Sequence, residues 1–183
     1  MKEHAINPAN LRRVLSYDHT TGALVWLERD ADLHGSATMV KTWNKLHAGK
    51  PAFQTTSTKG YKSGWVFGLQ MQAHRAAWAI YYGEWPQGEI DHINGDKADN
   101  RIENLRVVTS RQNAMNRPLR CDNSSGHVGV YWVGSLNKWM AQIKVDGKQK
   151  TIGRYKTLAE AVDARKNAEQ RYGYHPNHGR LIA

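Results

Sequence analysis

Cysteine is almost missing: Cys121 is the only one in 183 residues. An internal disulfide is excluded, and so is a cysteine-based zinc knuckle. Long apolar runs are missing too. The longest, Ala76 to Tyr82, is seven residues, against roughly 18 for a membrane span. The N-terminus, Met1-Lys2-Glu3-His4, lacks the apolar centre of a signal peptide. No low-complexity tract or internal repeat is visible. These absences lead to the expectation of an intracellular, cytoplasmic protein with no membrane partner.

Acidic residues are in short supply, 16 Asp and Glu against 26 Lys and Arg, for a formal net charge of +10. A balance this basic favours a polyanion, most often nucleic acid. Taken alone, it also suits a ribosomal or membrane-surface protein or a merely solvated basic face. Its distribution is more telling. Residues 1–88 carry 10 Lys/Arg against 6 Asp/Glu, residues 89–117 carry 5 against 5, and residues 118–183 carry 11 against 5. A locally neutral, acid-containing segment lies between two basic flanks. That suits a metal held beside a phosphate backbone. The length allows one or two small domains.

The coarse pattern is mixed. Ala5 to Tyr17 reads as a short helix, with Asn7 as cap and Pro8 in the first turn. Thr20-Thr21-Gly22 reads as a turn before a strand over Ala23 to Leu27. Further strands are expected over Pro51 to Thr55 and Gly64 to Gln72, then a helix over Ala73 to Tyr82 that Gly83 stops. A strand beginning at Ile90 should pair with Val107-Val108. Thr109-Ser110-Arg111-Gln112 has capping-box spacing, so a helix carrying Asn113 should follow.

The chemistry concentrates in Asp91-His92-Ile93-Asn94-Gly95-Asp96, followed by Asn104-Leu105-Arg106 and Gln112-Asn113. Phosphodiester cleavage needs an activated water, neutralised phosphate charge and help for the leaving oxygen. An imidazole has its ordinary pKa of about 6.5 near the working pH and suits the base. Asp91 and Asn113 offer oxygen ligands, which select hard cations such as Mg²⁺ over zinc. Neighbours in a strand point to opposite faces, so Asp91 and His92 need a bend or a strand end to reach one phosphate. Singly, these residues are ordinary: an Asp-His pair in a turn, an Asn-Gly hairpin, two asparagine caps. Their joint spacing is what carries information.

That spacing resembles the HNH endonuclease family, one of the His-Me finger nucleases with a ββα-metal fold. The matching stretches are His74-Arg75, Glu89 to Asp96, Asp99-Asn100-Arg101, Glu103-Asn104-Leu105-Arg106, Thr109 and Gln112-Asn113. They look most like the phage and intron homing endonucleases of that family. The resemblance implies His92 as general base and Asp91 and Asn113 as ligands of Mg²⁺ or another divalent cation such as Mn²⁺. It implies Asn104 as the central asparagine that braces the loop and helps position the imidazole. The third signature position, often histidine, is Asn113 here. His74 and Arg75 form an accessory pair, for phosphate or for packing. The first 72 residues also look like the start of such phage proteins, through Tyr17-Asp18 and Thr21 to Trp26.

Pro118 to Gly126 is polar and turn-rich and reads as a linker. Val128 to Val133, Lys138 to Val145 and Lys148 to Tyr155 read as strands, with Asp146-Gly147 as a hairpin turn. Thr157 to Glu160 has the spacing of a second capping box, and the helix after it ends at Gly173. On the middle strand, Trp139, Ala141, Ile143 and Val145 alternate with Met140, Gln142 and Lys144; the first set should pack on the helix. Residues 127–156 hold six Lys/Arg and one Asp, and a bare sheet this basic suits a major groove. This module resembles the AP2 DNA-binding domain through Ser125-Gly126, Val128-Gly129-Val130, Lys138-Trp139, Ala141-Gln142-Ile143, Ile152 to Tyr155 and Ala159-Glu160-Ala161. The resemblance implies DNA contacts from Tyr131, Lys138, Gln142, Lys144, Gln149, Thr151 and Arg154. The outward face lacks several arginines that plant-type AP2 domains use to read bases, so phosphate contacts should dominate.

The expectation is thus an α+β chain. It has a β-rich N-terminal region (1–72), an HNH ββα-metal finger (73–117), a linker (118–126), an AP2-like three-stranded antiparallel sheet packed on one helix (127–173) and a tail (174–183). The expected activity is metal-dependent hydrolysis of double-stranded DNA by a phage-encoded monomer or homodimer. The alternatives are a non-catalytic DNA-binding regulator on the same scaffold and an RNA-directed or non-specific nuclease.

Overall fold

Asn7 and Pro8 start the first helix as their chemistry requires. In the computed structural model, which describes residues 6–34, 36–115, 119, 123–174 and 178, α1 runs over Pro8–Val14, with the Asn7 side chain accepting from Ala9 N–H at 2.9 Å. The helix stops three residues short of the expected Tyr17. Leu15–Tyr17 is instead a strand, β1, paired antiparallel with β2, Leu24–Trp26, in the register Leu15↔Trp26 to Tyr17↔Leu24. Leu11, Val14 and Leu15 suit one helix face, but the pairing with β2 overrides local periodicity.

The N-terminal region is less β-rich than expected. It also holds α2, Ala31–His34, and α3, Ala37–His47. Strands β3 (Thr55–Thr56), β4 (Lys62–Val66) and β5 (Leu69–Gln72) make a three-stranded antiparallel sheet in that order. The stretch expected as one strand, residues 64–72, is a hairpin. Phe67 and Gly68 both adopt positive φ, +50° and +72°, as a tight mirror-type turn requires. Helix α4 spans Ala73–Tyr82 and ends at Gly83, whose φ is +79°. Strands β6 (Glu89–His92) and β7 (Leu105–Val108) then pair antiparallel, joined by a loop that ends in a 3₁₀ turn at Ile102–Asn104.

The chain divides into two compact units, Met1–Thr109 and Ser110–Ala183. In the first, one core joins Leu11 and Leu15, Val66 and Met71, Ala76, Ile90 and Leu105. Helix α1, strands β1, β4 and β5, helix α4 and the β6–β7 hairpin therefore share a single apolar interior. Each fully buried leucine contributes about 1.5–3 kcal/mol relative to exposure.

The second unit begins with α5, Ser110–Met115. Strands β8 (Val130–Val133), β9 (Lys138–Val145) and β10 (Lys148–Tyr155) form an antiparallel sheet with β9 in the centre. Asp146 and Gly147, at φ +52° and +78°, make the β9–β10 turn. Helix α6, Leu158–Arg171, opens on a complete capping box: Thr157 Oγ1 accepts from Glu160 N–H at 3.3 Å, and Glu160 accepts from Thr157 N–H at 3.2 Å. Val130, Ala141, Ala161 and Val162 are its buried centre. The class is α+β, with small antiparallel sheets. The expected tail falls largely outside the described residues, as do four of the nine positions of the expected linker.

Candidate functional site

Strand β6 presents its residues alternately. Ile90 and His92 are buried, while Glu89 and Asp91 lie half-buried on the other face. The strand begins beside Gly88, where a side chain would come within 2.7 Å of the Val108 carbonyl. Arg75 of α4 is buried and donates to the Gly88 carbonyl at 3.2 Å. It pins the start of the strand to the helix.

His92 is 3% exposed, at the last position of β6. Its Nε2 lies 3.2 Å from Asn100 Oδ1. The His74 ring meets it edge to face at 5.1 Å, and Tyr61 lies 5.9 Å from His92 and 5.2 Å from His74. Lys97 reaches over Tyr61 and donates to the Lys59 carbonyl at 2.8 Å. Burial lowers the pKa of His92; the Asn100 bond and the carboxylates of Asp91, Asp96 and Asp99 pull it back up in part. The net direction favours the neutral ring. His74 is pushed further, to about 3, first by burial and then by the positive charge His92 and Arg75 can carry. Its Nδ1 is buried with no hydrogen-bond partner among the described residues.

The loop after His92 is tied down by side chains. Asn104 is 5% exposed. It accepts from Asn94 N–H at 2.9 Å and donates to the Asp99 carbonyl at 2.8 Å, and its own carbonyl accepts from Ile93 N–H at 2.8 Å. Asp99 accepts from Asn94 Nδ2 at 2.7 Å and from Arg101 at 2.8 and 3.0 Å, which holds its carboxyl down at about 2. A second support comes from the N-terminal strands. Tyr17 donates its hydroxyl to the Asn100 carbonyl at 2.7 Å, and Ile102 N–H donates to the His19 carbonyl at 3.2 Å. Gly22 packs so closely on this loop that a side chain would lie 2.6 Å from Arg101 N.

Asp91 faces a different partner. Arg106, opposite it in register, donates to Oδ2 from Nε at 3.0 Å and from Nη2 at 2.5 Å. The carboxylate is a hard oxygen donor with a side chain 10% exposed. Asn113 is half-buried on α5, which belongs to the second unit. A carboxylate and an amide oxygen suit Mg²⁺ or Mn²⁺ in kind. Among the described residues, no three His, Cys, Asp or Glu side chains gather as a metal cluster. Thus His74, His92 and the Asn104-braced loop come together, Asp91 is engaged by Arg106 on the other strand face, and Asn113 lies in the other unit.

In the second unit, the outer face of the sheet assembles a polar set. The register pairs Tyr131 with Met140, Met140 with Arg154, Gln142 with Thr151 and Lys144 with Gln149. Gln142 is its hub: it donates to Thr151 Oγ1 at 3.4 Å and accepts from Gln149 Nε2 at 3.1 Å. Lys138, Lys144 and Arg154 are exposed. The opposite face packs on α6, from which Arg165 donates to the Gln142 carbonyl.

The sequence reading missed three contributors. Asn100 stands in the motif stretch Asp99-Asn100-Arg101 but had no role assigned. Tyr17 and Tyr61 belong to remote strands and loops, and no local spacing connects them to His92.

Residues 71–115 match the family model described as HNH endonuclease. The chain is 30% identical to Protein 3.8 of Escherichia phage T7 over 105 residues, covering 57% of this chain and 84% of that one. It is also similar, at 21% identity and a TM-score of 0.37, to the solved structure described as "DNA binding and cleavage by the HNH homing endonuclease I-HmuI", covering 87% of this chain and 78% of that one. Among the described residues, no helix is long and apolar enough to cross a membrane. A buried imidazole at the end of β6, on a loop braced by the motif asparagine, lies inside the stretch that the family model matches: the chain belongs to the family of phage T7 Protein 3.8 and carries an HNH endonuclease domain at residues 71–115.

Proposed function

We propose that the chain is a metal-dependent endonuclease of the homing type that hydrolyses phosphodiester bonds in duplex DNA. The observation that carries this reading is the buried imidazole of His92 at the strand end that opens the Asn104-braced loop. A neutral ring can take a proton from an attacking water, a step typically worth about 10²–10⁴-fold. His74 backs the ring and Arg75 fixes the strand that carries it. Asp91 and Asn113 would hold Mg²⁺ or Mn²⁺. When bound, that cation supplies charge neutralisation on the phosphate and on the departing oxygen. The basic outer sheet face, with Tyr131, Lys138, Gln142, Lys144, Gln149, Thr151 and Arg154, would bind the duplex in the manner of the AP2-like module. One such site cuts one strand. A monomer nicks, and a double-strand break needs a dimer or two events. The likeness to a phage protein supports a phage origin.

The Asp91–Arg106 ion pair favours a second reading, a DNA-binding regulator that keeps the scaffold without turnover. Supercoiled plasmid with Mg²⁺ separates the two. The nuclease reading expects relaxed circles from wild type and loss of cutting with retained gel-shift binding in His92→Ala. Tight binding by wild type with the plasmid left supercoiled would establish the regulator.

A further inference from the structure

The ring of His92 has one direct side-chain hydrogen-bond partner among the described contacts, and it is Asn100. Asn104, the motif asparagine, acts on backbone groups of the loop instead. The orientation of the Asn100 amide is settled by its other bond. Nδ2 donates to the Ala98 carbonyl at 3.2 Å, which turns Oδ1 toward the imidazole. An amide oxygen only accepts. The nitrogen facing it, Nε2, must then carry the hydrogen. With Nε2 turned into an acceptor, two lone pairs would face each other in a site where both residues are at most 5% exposed.

The position of Asn100 is itself fixed from two sides. Its backbone carbonyl accepts from the Tyr17 hydroxyl, and Gly22 lies against its backbone. Burial raises the Tyr17 phenol pKa, so it remains a donor at any pH of interest. The N-terminal strands thus reach the reacting ring through one asparagine.

We infer that Asn100 is a positioning residue that fixes His92 in its Nε2–H tautomer and leaves Nδ1 as the nitrogen that accepts the proton. The inference rests on the nuclease reading for its catalytic meaning, but the tautomer can be read without turnover. Long-range ¹H–¹⁵N correlation spectra of ¹⁵N-histidine-labelled full-length protein, assigned by comparison with His92→Ala, report which ring nitrogen is protonated. The expected result is protonation of Nε2 in wild type and a mixed population in Asn100→Leu, which removes the acceptor at similar volume. In single-turnover plasmid nicking, Asn100→Leu should be slower by about 10–100-fold, the range for loss of a group that orients an active ligand or base. DNA affinity should stay unchanged. Asn100→Asp keeps the oxygen and should restore most of the rate. A wild-type ring protonated on Nδ1 overturns the inference. So does an Asn100→Asp enzyme as slow as Asn100→Leu. A wild-type protein that never cuts DNA sinks the nuclease reading instead, and the spectrum still decides the tautomer.

Discussion

Arg106 closes on Asp91 from directly across the β6–β7 hairpin, with two of its nitrogens on the same carboxylate oxygen. A divalent cation at Asp91 has to displace or share that contact. Arg106→Gln should therefore destabilise the apoprotein by about 1–3 kcal/mol, the usual scale for a charged hydrogen-bonded pair with one partner removed. Mg²⁺ should then stabilise the variant more than wild type, because ligand that binds only the folded state adds about 2.7 kcal/mol at a hundredfold excess over its Kd. Thermal melts with and without Mg²⁺ measure both effects. Equal Mg²⁺ shifts in the two proteins would mean that Arg106 does not compete for the site.

That relationship also shows where the sequence could be read and where it could not. Helix α4, the β6–β7 pair, the Asp146-Gly147 turn and the Thr157 capping box were legible because each rests on local rules: apolar period, turn chemistry or cap spacing. The end of α1 and the 64–72 hairpin were not, because pairing with another strand decided them. Within the site, His92 and Asn104 stood out as motif residues. Arg106 was visible in the same motif, but its closure on Asp91 depends on cross-strand register, which spacing alone does not state. Tyr17 and Tyr61 meet the site only through the tertiary fold.

His74 makes acid stability a test of the paired rings. Its pKa is about 3 when folded, against an ordinary 6.5. The unfolded chain thus binds a proton that the folded chain refuses between these values. The stabilisation is complete above pH 6.5 and is lost as pH falls toward 3, at up to about 1.4 kcal/mol per pH unit. In urea melts, His74→Phe should flatten the decline over that window. An unchanged slope would show that His74 is protonated in the native state or solvated by opening of the site.

Gly22 offers a structural test from outside the motif. Its φ is +76°, and a side chain would strike the backbone of Asn100 and Arg101 at 2.7 and 2.6 Å. Gly22→Ala should cost about 1–3 kcal/mol of stability by urea unfolding. Cleavage should fall with it as the loop that holds Asn100 is pushed away. A change within experimental error would mean that the 18–22 turn does not rest on the loop.

The basic sheet face predicts a steep response to salt. Each phosphate contact adds about 0.9 to the slope of log affinity against log salt. Replacing Lys138, Lys144 and Arg154 together by alanine should flatten that slope by about 2.7 units if all three touch phosphate. Fluorescence anisotropy on a short duplex across a salt series measures it. An unaltered slope would place the duplex on some other surface.

The apolar interior shared by α1, the β3–β5 sheet, α4 and the β6–β7 hairpin bears on how this nuclease element can be transplanted. Excised as residues 71–115, it would leave behind Leu11, Val14, Leu15 and Val66, all wholly or almost wholly enclosed, along with the tyrosine and glycine that steady its loop. A graft into another scaffold has to begin near Ile6 rather than at the family signature, since the β6–β7 hairpin has no independent floor to stand on.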